Sequence, residues 1–299
     1  WREHSFSGVE ERDERAGLLF RLVSGLGVQV GVERSFKMFS GTLLSDRLLL
    51  GFKRSSLGGD TQGRILDICK EIGMPGDFLD TFEELLPESN IVLFGFEKNH
   101  KGGIYNSYLE FGDRIVKAIR REPSAPEPVA IHEGFKWDAA DSSNKTRAKY
   151  TCFPRLSLKD MSRRIARIVP GGVRARTFCL VGDVLELVSS RVGSEALLYF
   201  EATEEANPRR SFDVNLYRAN LRLGELYPIL LRMCLHYDIP PRSFDAVYEP
   251  VKNHKFGHLT GGTDREGRDF LTVYFGRKGS QGPRSPVGHD LLYGTGTST

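Results

Sequence analysis

Apolar and polar positions alternate with a period of two along ten stretches of the chain, and those stretches come in adjacent pairs. The first pair runs from Val28 to Met38 and from Leu43 to Lys53, turning near Ser40-Gly41; the second runs from Asn90 to Glu97 and from Ile104 to Phe111. The third joins Val129 to Asp138 with Arg147 to Phe153, the fourth Ala196 to Ala202 with Arg210 to Tyr217, and the fifth Phe256 to Gly261 with Asp269 to Phe275. Gly, Asn, Asp, Ser and Lys fill the intervals, as a reversing chain requires. Five β-hairpins are predicted.

Helical spacing occupies the gaps between hairpins. Ile65, Ile68, Cys69 and Ile72 share one face behind Asp60, and Met161, Ile165 and Ile168 share one behind Ser157 as N-cap. Further helices are predicted over Val9 to Ser24, Asp77 to Leu86, Asp113 to Arg121, Phe178 to Val188, Arg222 to Tyr237 and Ser243 to Tyr248, with Pro228 kinking the Arg222 helix or resetting its start. The resulting α-β-β-α order, repeated about five times, predicts an α+β fold with its helices on one side of an antiparallel sheet. Ten strands are many for an open sheet, and closure into a barrel removes both edges.

The alternation also orients each strand. Val28, Val30, Val32, Phe36 and Met38 oppose Gln29, Gly31, Glu33, Ser35 and Lys37; Leu48, Leu50 and Phe52 oppose Arg47, Gly51 and Lys53. On the sixth strand Ala148, Tyr150 and Cys152 oppose Arg147, Lys149 and Thr151, and on the eighth Phe212, Val214 and Leu216 oppose Ser211, Asp213, Asn215 and Tyr217. Helices need the apolar faces, so the polar faces are predicted to line the barrel. Small barrels are ordinarily filled with apolar side chains; a polar interior implies a wet chamber with a ligand. The competing expectation is an open sheet whose polar face meets solvent, as in a non-catalytic α+β ligand- or RNA-binding protein.

Composition narrows this little. Of 299 residues 39% are apolar and 27% charged, with 42 basic against 39 acidic side chains and a net charge of +3, too even to predict nucleic-acid or membrane binding. The longest apolar runs are far shorter than a membrane span, and the first residues have no signal-peptide pattern, so a cytoplasmic protein is expected. Cys69, Cys152, Cys179 and Cys234 are too dispersed for a zinc site or a disulfide framework. Glycine is in excess, 32 residues, at predicted turns and at inward strand positions such as Gly95 and Gly134.

Three stretches carry a resemblance. They are Glu33-Arg34-Ser35-Phe36-Lys37 followed by Ser45-Asp46-Arg47-Leu48-Leu49-Leu50, then Gly134-Phe135-Lys136-Trp137, then Phe270-Leu271-Thr272-Val273-Tyr274-Phe275. In this order, across Val9 to Gly276, the chain resembles the ABBA-type prenyltransferases, and among them most the peptide prenyltransferases of cyanobactin biosynthesis. The resemblance implies a ten-stranded antiparallel barrel surrounded by helices over residues 9–276, between a flexible N-terminus (1–8) and a disordered tail (277–299). It implies a monomeric enzyme that moves a prenyl group, most simply dimethylallyl, from an allylic diphosphate to a side chain of a cyclic ribosomal peptide. A small aromatic acceptor is the alternative.

Such chemistry needs cations and hydrogen-bond donors around the departing diphosphate. The resemblance implies that Arg47, Lys136, Lys149, Asn215, Tyr217, His258 and Tyr274 hold it, with Mg²⁺ as an expected companion; Lys53 and Arg147 are further inward cations. Glu33 matches the acidic residue of the first hairpin that takes the acceptor's proton. Glu97, Asn106, Tyr108, Glu110 and Asp138 are expected around the acceptor. The second hairpin departs from the family, with Asn106, Tyr108 and Glu110 where a basic residue is expected. Glu201 and Asp213 extend an acidic inward set, which suits a cationic acceptor, ion pairs with the inward cations, or Mg²⁺.

Overall fold

In the computed structural model, which describes residues 8–99, 102–124, 126–205 and 207–276, the five hairpins form and close on one another. The termini expected to be flexible or disordered lie, from 1 to 7 and from 277 to 299, outside the described residues. The chain starts with helices α1 (Val9–Arg12) and α2 (Glu14–Ser24), one predicted helix broken at Asp13, whose carboxylate caps α2 by accepting from Arg15 N–H at 3.0 Å. The first hairpin is β1 (Gly31–Phe39) against β2 (Thr42–Leu44) and β3 (Arg47–Lys53); these two share one stave, interrupted at Ser45-Asp46. Helices α3 (Thr61–Glu71) and α4 (Gly76–Leu85) follow, Asp60 capping α3 as predicted.

The second hairpin, β4 (Ile91–Glu97) and β5 (Ile104–Glu110), leads to α5 (Gly112–Arg121), and the third, β6 (Val129–Asp138) and β7 (Lys145–Phe153), to α6 (Leu158–Ile168) and α7 (Arg176–Ser189). The fourth is β8 (Leu198–Glu204) with β9 (Arg210–Asn215). Pro228 resets the next helix: a 3₁₀ turn at Leu223–Leu226 precedes α8 (Tyr227–His236), with proline in the first turn where its missing N–H is harmless. After α9 (Pro241–Tyr248) comes the fifth hairpin, β10 (Lys255–Thr263) and β11 (Asp269–Gly276).

Neighbouring strands pair antiparallel throughout, and β11 pairs with β1 from Glu33↔Gly276 to Met38↔Leu271, closing a ten-stave barrel. The polar strand faces are therefore enclosed, and the open, solvent-facing sheet does not form. Every hairpin turn lies at one end, here the turn end, and every helical connection leaves from the other, the crossover end.

The helices cover the outside in two large apolar clusters. Phe52, Phe94, Phe96, Phe135 and Trp137 pack with α2, α3 and α4; Phe36, Met38, Phe212, Val214 and Val273 pack with α6, α7, α8 and α9. A smaller cluster places Ile115 and Ile119 of α5 with Ile131, Cys152 and Phe200 at the crossover end. Burying several aromatic rings at such a seam stabilises by about 1.5–3 kcal/mol each.

The alternation fails at one strand. Ala148 pairs with Gly134 and Thr146 with Lys136, so Thr146, Ala148 and Tyr150 face inward and Arg147 and Lys149 face out. This part of the wall meets solvent: Lys149 is 55% exposed beside Glu205, and Arg147 donates to Glu133 at 2.7 Å on the outer face. An uncovered outer face favours its polar residues in water and its apolar ones inside, which inverts the pattern. Glu201 of β8 is likewise outside, bonded to Arg164 of α6 at 2.7 Å.

Phe82, fully buried on α4, meets the rings of Phe135 at 5.6 Å and Phe94 at 6.4 Å and so ties that helix to the wall. Phe82→Ala is expected to lower the unfolding free energy by about 3–5 kcal/mol, read by urea denaturation.

Candidate active site

Inward residues from successive strands form two charged levels. Near the turn end stand Lys37 of β1, Arg47 of β3, Lys136 of β6, and Arg209 and Arg265 from the last two turns; among them stand Glu97 of β4 and Glu204 of β8. Arg47, buried at the head of β3, donates through Nη1 to Glu97 Oε2 at 2.6 Å and through Nε to Ser35 Oγ at 2.9 Å. Glu204 accepts from Arg209, from Arg265 Nε at 2.8 Å and from Lys136 Nζ at 3.5 Å. Lys37 has its ammonium 4.2 Å above the Phe270 ring.

Five cations stand against Glu97, Glu204 and, beside Lys37, Asp264, itself bonded to Arg268, so this level stays positive. Burial, then the charges of Arg209 and Arg47, bring Lys37 down to about 7. Burial and Arg209 bring Lys136 down to about 8, Glu204 and Glu97 opposing. Burial would raise Glu97, yet Arg47, Lys136 and Lys37 hold it down at about 2. Glu97, expected around the acceptor, is thus paired with the cations.

The level toward the crossover end carries the opposite surplus. Glu33 accepts from the Tyr217 hydroxyl; His258 pairs with Asp213, Nδ1 to Oδ1 2.7 Å, and its Nε2 lies 3.9 Å from Glu33 Oε1. Glu110 lies 3.2 Å from His132 Nε2. Burial would lower His258, but Asp213, Glu33 and Glu110 raise it to about 9. Although the barrel wall surrounds them, the side chains of Glu33, Asp213 and His258 keep 17%, 19% and 21% exposure, so solvent reaches this depth.

Tyrosines stand between and beside the two levels. Tyr274 interacts with Arg47 on one side and with the His258 ring, 6.0 Å away, on the other. Tyr108 lies against Gly134, where a Cβ would come within 2.9 Å of its ring, and meets Tyr150 edge-on at 5.8 Å. Gly95 makes the same allowance for Asn106, whose amide reaches Glu97 at 3.5 Å. Burial pushes the hydroxyls of Tyr108, Tyr150, Tyr217 and Tyr274 up, so all four are neutral donors near pH 7.

Of the residues expected around a diphosphate, Arg47, Lys136 and Tyr274 come together, while Tyr217 and His258 sit at the carboxylate level. Asn215 is also there, its Oδ1 accepting from Tyr217 N–H at 3.2 Å, and Lys149 is outside the barrel. Lys53 is exposed at the end of β3. Among the expected acceptor residues Asn106, Tyr108 and Glu110 face the chamber, but Asp138 closes the β6–β7 turn by accepting from Ala140 N–H at 2.8 Å and Asp141 N–H at 3.3 Å. Arg209, Arg265, Glu204, Tyr150 and His132 were not anticipated; alternation reveals Glu204 once β8 is phased on Phe200 and Ala202, whereas the two arginines sit in turns that have no period.

Among the described residues no group of three or more His, Cys, Asp or Glu side chains is placed to hold a metal ion. The carboxylates nearest the cations are engaged by arginine, so the residues present do not fit a resident Mg²⁺.

The Glu97–Arg47 pair should govern acid stability. Its carboxylate titrates at about 2 in the folded chain against 4.5 ordinarily, so the stabilisation is fully present above about 4.5 and is lost as pH falls through about 2. Glu97→Gln is expected to cost roughly 3–5 kcal/mol at pH 7 by leaving Arg47 buried without its partner, and clearly less at pH 3, in urea titrations at the two pH values.

No protein-family model matches the sequence, and no curated protein matches it. In three dimensions the chain is similar to 5-dimethylallyltryptophan synthase from Streptomyces coelicolor, with a TM-score of 0.62, 13% identity, and coverage of 96% of this chain and 94% of that one. It is similar to the prenyltransferase PriB in its apo form, with a TM-score of 0.61, 13% identity and coverage of 93% and 92%. A 6-dimethylallyl tryptophan synthase follows at 0.56 and 13% identity, covering 93% of this chain and 99% of that one. At this identity the likeness is one of fold: the chain has the closed ten-stranded αββα barrel of these prenyltransferases.

Proposed function

We propose that this protein is a prenyltransferase that moves a dimethylallyl group from its diphosphate to a ring carbon of an aromatic acceptor bearing an N–H, of the indole class. The observation that carries the reading is the sorting of charge inside the barrel: a positive level at the turn end, a carboxylate level toward the crossover end, and neutral tyrosines between them. Structural likeness supports it, since PriB has been captured with L-tryptophan and dimethylallyl thiolodiphosphate, and that complex shares this fold at a TM-score of 0.61. The peptide acceptor suggested by the sequence has no comparable support, and the small aromatic acceptor is the reading favoured.

The diphosphate rests against Arg47, Lys136, Lys37, Arg209 and Arg265, arginine supplying paired N–H donors and lysine point charges. The bond between the allylic carbon and oxygen breaks with its electron pair leaving on the diphosphate, whose growing charge these cations stabilise more than they stabilise the ground state. Tyr274, Tyr108 and Tyr150 offer π faces to the allylic cation and keep water from it. The acceptor ring carbon donates a π pair to the allylic carbon, and the proton lost as aromaticity returns goes to Glu33. The products are the prenylated acceptor, diphosphate and the proton. A chain that binds RNA through the same faces has no support, because those faces are enclosed and carry carboxylates on β1, β4, β5, β8 and β9.

Incubation with dimethylallyl diphosphate and a panel of indoles, phenols and cyclic and linear peptides, read by mass spectrometry, should show the mass of one dimethylallyl group on an indole. Arg47→Ala is expected to lower that turnover at least about a hundredfold. Gain on peptides alone moves the acceptor assignment, and undiminished turnover in Arg47→Ala overturns the diphosphate site.

Donor binding should also take up protons. Lys37 at about 7 and Lys136 at about 8 are partly neutral in the empty chamber, and a bound anion draws both toward the charged form. Calorimetry with dimethylallyl thiolodiphosphate at pH 7.5, in buffers of different ionisation enthalpy, is expected to show uptake of roughly half a proton to one proton.

A further inference from the structure

His258 reaches the chamber by a local irregularity in β10. The register with β11 slips between Phe256 and His258, so Gly257 forms a bulge and the imidazole turns inward. Gly257 is needed there: a Cβ would stand 2.6 Å from Tyr217 Cζ, and Tyr217 is the residue whose hydroxyl holds Glu33. One irregularity thus places both neighbours of Glu33. Across β10, Asp213 of β9 takes the imidazole through Oδ1 at 2.7 Å while Thr260 donates to its other oxygen at 2.6 Å, so the carboxylate is fixed at both ends.

The charged and titratable groups acting on His258 come from several walls. They are Asp213 from β9, Glu33 from β1 and Glu110 from β5, with the neutral rings of Tyr217 at 5.6 Å and Tyr274 at 6.0 Å edge-on to it. The strongest charged neighbours are these three carboxylates. At 3.9 Å the contact between Nε2 and Glu33 is too long for a hydrogen bond and is an electrostatic one.

We infer that Asp213 and His258 are a positioning pair: Asp213 holds His258 as an imidazolium beside Glu33, and that fixed cation, with the Tyr217 hydroxyl, keeps the Glu33 carboxylate in place and aimed at the acceptor's proton. The inference rests on the proposed prenyl transfer and moves His258 from the diphosphate to the acceptor side of the reaction. It gives His258 no proton to take, since both ring nitrogens already carry one; the acceptor's proton goes to Glu33, and the imidazolium stabilises the arrangement before that transfer. Burial alone would strip the charge from this histidine, and the surrounding carboxylates raise it instead to about 9.

The direct test is the titration of His258 by ¹⁵N NMR in the unliganded protein, with His258→Gln to assign the signal. The expected midpoint is about 9, falling by at least about one unit in Asp213→Asn. In turnover with an indole acceptor at saturating donor, where the bound anion holds Lys37 and Lys136 charged, the alkaline limb of kcat should follow the same groups, near pH 9 in the native chain, at lower pH in Asp213→Asn, and absent in His258→Gln, whose rate is low but level. A purely structural role would lower the rate equally at every pH. A midpoint near 6.5, or an alkaline limb that neither variant moves, overturns the pair. A native chain that prenylates no acceptor overturns the proposed function instead, and the NMR midpoint alone then decides whether the pair exists. Should Asp213→Asn fail to fold, Thr260→Val removes the second anchor of the same carboxylate and is expected to lower the midpoint in the same direction.

Discussion

The pairing of β1 with β11 is the constraint on which the rest depends. Until that seam forms, the polar strand faces are the solvated side of an open sheet and their charges act independently. Once it forms, residues as distant in sequence as Ser35 and Tyr274 become neighbours, and a dozen ionisable side chains share an enclosed volume. Enclosure strengthens every electrostatic interaction and makes unpaired charge expensive. The polar interior is therefore stable only as a connected arrangement, in which Glu97 and Glu204 bind the cations around them and His258 binds the carboxylates around it.

Topology decides which charges share a level. All hairpin turns fall at one end, so the heads of β3 and the turns before β9 and β11 deliver Arg47, Arg209 and Arg265 to the same height. Two strands carry a bulge immediately before an inward histidine, β6 at His132 and β10 at His258, and each histidine meets a carboxylate from a neighbouring strand, Glu110 or Asp213. An extra residue re-aims a side chain without disturbing the ladder on either side. The two levels thus differ in how they are made, the positive one from strand heads and turns, the other from bulges.

The sequence made the fold legible because most strands have a helix on one face and the chamber on the other, so alternation reports both. Glu33, Arg47, Lys136 and Tyr274 were readable for that reason. β7 was not, because its outer face at Lys149 is open: with water on one side and a half-dry chamber on the other, Tyr150 goes in and Lys149 goes out. Arg209 and Arg265 lie in turns, where period-two reasoning has nothing to count. Asp138 has inward parity but spends its carboxylate on two backbone N–H groups of its own turn, a local competition that Asp wins readily. The glycine excess is explained where bulk would collide, at Gly95 beneath Asn106 and Gly134 beneath Tyr108.

The direction in which a titratable group moves records the sign of its surroundings. Lys37 and Lys136 are moved down by burial and by guanidinium neighbours, where cations outnumber carboxylates; His258 is moved up against burial by Asp213, Glu33 and Glu110, where carboxylates predominate, so each level has a deficit. The two deficits are opposite and occupy one chamber, which is the division the proposed heterolytic transfer needs, with an anion released at one level and a proton at the other. Were the same side chains mixed, each carboxylate would find an arginine, both deficits would vanish, and the interior would be a set of satisfied ion pairs with no preference for a ligand. Separation leaves each level short of a charge that the proposed reaction supplies. Neutral tyrosines are what suits the ground between, since their faces favour a cation in transit without quenching the charge on either side.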